Sequence, residues 1–424
     1  MRSSKLVKQG DNQIFFAIFV SMLWAKKIIL NYVKAAVIKV PFLSVVGEFF
    51  IPGIMLLLFL LSFSTIVDRL RGSDFAFIMF FLLLYAGEFV LFRHLRPYFK
   101  AYVSELVIDC MPLYFVGVAI RGEDEERILK WLFRISMVTI VLFAVYLFFF
   151  HEWSSRFVRG GDMGSAYRLL PHACLVFYCL TEKPTWARGI VSLLSLFLLL
   201  FLGTRGAVLC LLVFMCMTLA LNTRMRNPLL FLVIAVIILI LLIFPSIITR
   251  ITTSAYSLAQ NLGMSTRVFD KALSGELAVS TARVRLKKSI LFYLDKAPYT
   301  GLGIYGDRFV TNGQYVHNFF FEILCDFGYV GGSLVLLVLG FFLVTTLISA
   351  LKSGDRNTKL IVLLLIGCSL KLAVSGSYLA EPFFWLMLGY FISFRRDMRN
   401  ARQESTSTVR VKLQTIEEKP TANR

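Results

Sequence analysis

Apolar and polar positions fall in long alternating blocks along this chain. Runs of about 20 aliphatic and aromatic residues, the length that crosses a bilayer as a helix, are divided by short charged breaks. Such runs lie near Ile14–Tyr32 (broken by Lys26-Lys27), Pro41–Val67, Phe75–Phe92, Ala101–Ile120, Trp131–Phe150, Ala166–Leu180, Ile190–Gly203, Ala207–Leu221, Pro228–Ile248, Tyr329–Leu351, Leu360–Ser375 and Ala380–Phe394. They predict an all-α integral membrane protein with about 12 transmembrane helices. Between Arg250 and Gly328 the pattern changes to a polar island rich in cations and glycine turns. Inside it, apolar residues at 286, 290, 291 and 294 with Lys287 and Lys288 between them predict a short amphipathic helix at the membrane interface. The expected organisation is therefore N-terminal spans over 1–248, a large external loop over 249–328, C-terminal spans over 329–394 and a disordered polar tail over 395–424.

Composition narrows the class. Of 424 residues, 58% are hydrophobic and 17% charged, too apolar for a water-soluble domain of this length. The seven Cys lie mostly inside apolar runs without a CxxC pair and read as small core residues. The first apolar run lacks a small-residue cleavage pattern and reads as a span, not a leader. A net charge of +19 combines loop bias with a surplus suited to anionic lipid or a diphosphate. Because the basic residues are spread over short loops, nucleic acid is not the expected partner. The loops with Arg69 and Arg71, Arg121 through Lys130, Lys183 and Arg188, Arg224 and Arg226, and Lys352 and Arg356 share one face with both termini. The positive-inside rule makes that face cytoplasmic, leaving the island, Arg159 and Arg205 outside. Arg93, Arg96 and Lys100 run against the rule.

Several groups could carry chemistry. Gly203-Thr204-Arg205-Gly206-Ala207 breaks two apolar runs at the start of a helix. It reads either as a diphosphate cradle or as an ordinary turn with a snorkelling Arg. Arg283 and Arg285, two residues apart, point in different directions on a helix, as a site residue with a neighbour or as a solvated basic face. His317 is the island's one His, followed by Asn318 and Glu322 just ahead of a span. An imidazole there could take a proton from a hydroxyl or donate to a phosphate, or be a satisfied polar residue. Gly301-Leu302-Gly303 could cradle a phosphate, although so short a motif is common. Glu48, Glu88, Glu105, Asp109, Arg134, Arg168 and Lys371 fall within the spans. Such charges face the bundle interior or a cavity, often in pairs such as Lys371 with a Glu. No HExxH, DxD or acidic triplet marks an external loop, so no metal or cofactor is expected and arginines would handle any phosphate.

In order and spacing, Gly203–Ala207, Arg159-Gly160-Gly161, Ser280-Thr281-Ala282-Arg283, Pro298, Gly301-Leu302-Gly303, Val316-His317-Asn318, Glu322 and Gly328 resemble the O-antigen ligase/O-antigen polymerase superfamily. Pro171-His172 departs from the Asn-Pro-Asn of many relatives. The resemblance implies a GT-C-type bundle in the bacterial inner membrane with its active site facing the periplasm. It implies an undecaprenyl-diphosphate-linked glycan as donor and a growing glycan or lipid A–core as acceptor. It also implies metal-independent transfer with inversion. Carried over, Arg205, Arg283 and Arg159 bind the diphosphate, and His317 orients or deprotonates the acceptor. Arg285, Asn318, Glu322, Gly301 and Gly303 support them. A repeat-unit polymerase is the expected activity and a ligase the alternative. A transporter of lipid-linked sugar would show two similar halves with matching broken helices, which the sequence lacks.

Overall fold

The computed structural model describes residues 12–26, 28–29, 49–149, 163–202, 204–221, 253–254, 256–258, 260–261, 281–353 and 355–417. The described residues form helices and turns with no strand among them. In chain order the principal helices are α1 (Asn12–Lys26), α2 (Ile51–Arg69), α3 (Gly72–Leu91), α4 (Arg96–Ser104), α5 (Met111–Ala119), α6 (Glu125–Phe149), α7 (Met163–Glu182), α8 (Trp186–Phe201) and α9 (Arg205–Leu221). There follow α10 (Thr281–Leu294), α11 (Gly306–Val310), α12 (Phe319–Ser353), α13 (Asp355–Val362) and α14 (Pro382–Glu417). A π-helical turn, Glu105–Cys110, joins α4 to α5.

Among the described residues, five stretches are long and apolar enough to cross a membrane: Ile51–Arg69, Gly72–Leu91, Arg93–Ala119, Gly122–Val145 and Phe319–Lys352. Shorter apolar helices cover Asn12–Lys26, Trp186–Leu200 and Gly206–Leu219. The expected span Pro228–Ile248 lies outside the described residues. Leu83, Leu337 and Phe341 stand 67–71% exposed on α3 and α12, which suits a lipid solvent and would be costly in water. The tightest helix crossing is α5 on α14. A Cβ on Gly117 would lie 2.2 Å from the Leu386 carbonyl oxygen, and one on Gly389 would lie 2.1 Å from that of Tyr114. Small residues let two backbones meet where van der Waals packing must replace the hydrophobic effect.

Two segments differ from the sequence expectation. Leu360–Ser375 is not one helix: α13 gives way to a π-helical turn over Leu363–Ser369 and a 3-10 turn over Leu370–Ala373. The tail expected to be disordered from 395 continues α14 to Glu417. Residues 395–417 contain neither Gly nor Pro, so nothing in the sequence stops a helix already nucleated by its buried first half.

One end of the bundle is clamped by arginines from the loops read as cytoplasmic. Arg69 pairs with Asp124 and, at 3.0 Å, with Glu123; Arg121 pairs with Asp397 at 3.2 Å; Arg396 pairs with Asp74. Arg96, which runs against the positive-inside rule, donates to the Phe89 and Val90 carbonyls at 3.1 and 3.3 Å. It satisfies the open end of α3, a local reason for a cation there.

Within the described part of the polar island, the turn over 298–303 packs onto the start of α12. Gly328 breaks that helix with φ 74° and ψ 176°. Gly301, at φ 73°, packs directly against it: a Cβ there would lie 2.4 Å from the Gly328 nitrogen. Leu302 N donates to the Cys325 carbonyl and Tyr329 N to that of Pro298, both at 2.7 Å. Only glycine reaches both the left-handed backbone and this approach.

Candidate active site

A cavity of about 640 Å³ lies between α1, the α4–α5 wall, the start of α7, the loop after α11 and the segment 371–383. Its wall includes His317, Tyr315, Arg308, Arg168, Lys371 and Glu105. Five separated stretches of sequence contribute, which is why periodicity alone cannot place it.

His317 adopts a left-handed backbone, φ 58°. Such a conformation costs on the order of 1–3 kcal/mol and persists only when its surroundings fix it. Both sides are fixed. Before it, Val316 N donates to Asp307 Oδ2 at 3.0 Å. After it, Asn318 caps α12: its Oδ1 accepts from Phe321 N at 3.0 Å, and its Nδ2 donates to the Ala373 carbonyl at 2.9 Å. The Tyr315 ring centroid lies 4.0 Å from that of His317.

Beneath the loop lies a buried polar lattice. Arg308, 3% exposed, donates through Nη1 to Asp307 Oδ1 at 2.9 Å and to Glu322 Oε1 at 3.2 Å, and through Nη2 to Ser377 Oγ at 2.8 Å. Ser377 Oγ also donates to Glu322 Oε1 at 2.5 Å, and Tyr378 N donates to Glu322 Oε2 at 3.2 Å. Tyr378 OH donates to Asp326 Oδ2 at 2.7 Å. Burial works against the Arg308 charge, but the carboxylates of Asp307, Glu322 and Asp326 outweigh it and hold the guanidinium proton more firmly than water would. The lattice ties the His317 loop to the segment that carries Ser377. Glu322 therefore supports the site through Arg308 and Ser377.

The other anticipated residues are distributed around this frame. Gly301 and Gly303 belong to a packed turn; a Cβ on Gly303 would meet Phe92 and Glu88 at 3.1 and 3.2 Å, and neither glycine lines the cavity. Arg285 is exposed on α10. Arg205 opens α9 and Arg283 lies in the first turn of α10, but their side chains, like Gly203 and the whole of Arg159, lie outside the described residues. Gly206, next to Arg205, packs against the hydroxyl end of Tyr167, a cavity residue. Helix α10 packs by Ile290 against Val316 and Cys325, the framework of the His317 loop.

Asp307 and Arg308 went unremarked in the sequence because an Asp-Arg dipeptide in a polar island reads as solvated surface. The intramembrane charges are clearer. Lys371 does pair with a Glu, meeting Glu381 at 2.8 Å, and Lys26 meets Asp109 at 3.0 Å. Arg134 lies over the Trp131 ring, 5.0 Å from its centroid.

Residues 190–336 match the family model described as O-antigen ligase. A comparison with curated proteins gives no match. The matched stretch holds Arg205, Arg283, the glycine turn, His317, Asn318 and Glu322, while Arg159, Arg168, Glu105 and Lys371 lie beyond it. Residues 190–336 are thus similar to the O-antigen ligase family, in line with the superfamily that the motifs resemble.

Proposed function

We propose that this protein transfers glycan from an undecaprenyl-diphosphate-linked donor at the periplasmic face of the bacterial inner membrane, joining surface-polysaccharide repeat units. The observation that carries the proposal is His317, fixed in a left-handed turn on the wall of a cavity that Arg168, Arg308 and Lys371 also line. Arginines in a dehydrated cleft stabilise charge accumulating on a leaving diphosphate far better than they would in water. Arg205, Arg283 and Arg159 are assigned to that diphosphate, and His317 to orienting or deprotonating the acceptor hydroxyl. The acceptor oxygen attacks the anomeric carbon with inversion, and the lipid diphosphate departs with the bonding electrons. The arginine clamp at the opposite end of the bundle supports an outward-facing cavity, because that end carries the cytoplasmic loop charges.

The matched family model is described as O-antigen ligase, which favours a second reading: transfer of the finished chain to lipid A–core. One experiment tests both. Purified protein receives lipid-linked repeat units with or without lipid A–core, and the products are separated on a gel. A ladder without lipid A–core supports polymerisation, and product only when it is present supports ligation. Neither product from folded, donor-binding protein refutes the proposal. EDTA is expected to leave the rate unchanged.

A further inference from the structure

Most charges on the cavity wall have partners. Lys26 is matched by Asp109 and Lys371 by Glu381, while Arg308 is held by Asp307 and Glu322. Among the described residues, Glu105 and Arg168 have neither a hydrogen bond nor an ion pair through their side chains, and both line the cavity. An ionisable group left unmatched inside an apolar span is costly, and such groups mark substrate paths.

Glu105 also begins the π-helical turn between α4 and α5. These turns are rare and concentrate at functional sites, because the extra residue redirects the side chains around it. Tyr102, nearly one turn earlier, lines the same cavity, as do Trp24 and Tyr315. A carboxylate among aromatic faces suits a sugar, whose ring stacks and whose hydroxyls donate. It repels a diphosphate, which must therefore lie toward the cationic wall.

We propose that Glu105 is the base on the acceptor side of this cavity, the residue that receives the proton of the attacking sugar hydroxyl. The assignment rests on the glycosyl-transfer reading given above and extends it. The acceptor O–H bond breaks and its proton passes to a Glu105 carboxylate oxygen. The hydroxyl oxygen bonds to the anomeric carbon, and the bond from that carbon to the phosphate oxygen breaks with its electron pair leaving on the diphosphate. Water later takes the proton from Glu105, and nothing is oxidised or reduced. His317 then orients the hydroxyl and does not need to carry its proton.

The test compares wild type, Glu105→Gln, Glu105→Asp and His317→Ala in proteoliposomes supplied with lipid-linked repeat units. Donor binding and melting temperature are measured alongside turnover. Glu105→Gln is expected to lower kcat about 100-fold or more, as loss of a general base does, with donor affinity within about threefold of wild type. Glu105→Asp should recover part of that loss. Turnover of Glu105→Gln within about threefold of wild type, while His317→Ala is inactive, overturns the assignment and leaves the wider reading standing. A raised acceptor KM at unchanged kcat also overturns it, as does a loss explained by failed donor binding or a lowered melting temperature. Full activity in His317→Ala overturns the transfer reading itself, and the role of Glu105 with it.

Discussion

The two ends of this bundle treat charge in opposite ways. At the arginine end, Arg69, Arg121 and Arg396 each meet a carboxylate that closes a helix–helix joint. At the cavity end, pairs also exist, but Glu105 and Arg168 stand without side-chain partners among the described residues, and His317 is held in an unfavourable backbone conformation. Matched charges make a joint. Unmatched charges on the same cavity wall as a constrained imidazole are costly in stability and mark a candidate site.

The contrast predicts that substitutions at the two ends separate activity from stability. A large effect on turnover is expected for His317→Ala, about 100-fold or more in kcat with little change in melting temperature, because the acceptor hydroxyl loses its orientation. Assay of lipid-linked product alongside thermal unfolding in detergent checks this, and equal losses in both would erase the distinction between the ends. Arg205→Ala and Arg283→Ala should each raise the barrier by about 2–4 kcal/mol, read as lost turnover with donor saturating. Asp307→Ala should act on both quantities, because it frees Val316 N and leaves Arg308 short of a partner. Removing one member of a buried pair costs about 3–5 kcal/mol, so a marked fall in melting temperature should accompany the lost activity. Arg396→Ala should lower the melting temperature while leaving turnover per folded molecule unchanged. Arg285→Ala, on an exposed position, should leave both within experimental error.

The helical membrane class, the break between island and span at Gly328 and a helix over 286–294, which the structure begins earlier at Thr281, were legible because each is written in local pattern. The family-like stretch that holds His317, Asn318 and Glu322 was legible from motif order. Asp307 and Arg308 were not. Their role depends on Ser377 and Glu322 arriving from elsewhere in the chain, which no window of sequence records. That Lys371 pairs with a Glu was legible, but not which one: a broken helix brings Glu381 to it across ten positions. Glu105 reads simply as one more charge in a span; only the cavity gives it a neighbourhood.

The interruption at Gly328 has a mechanical consequence. Residues 319–327 are held to the His317 loop by Asn318 and Glu322 and to Tyr378 by Asp326, whereas the rest of α12 faces mainly lipid. Gly301 against Gly328 and Tyr329 N on the Pro298 carbonyl pin that break, so the lipid-facing shaft starts from the same packed turn as the short buried segment. The helix that meets the bilayer and the loop that holds the imidazole are thereby tied to a single anchor.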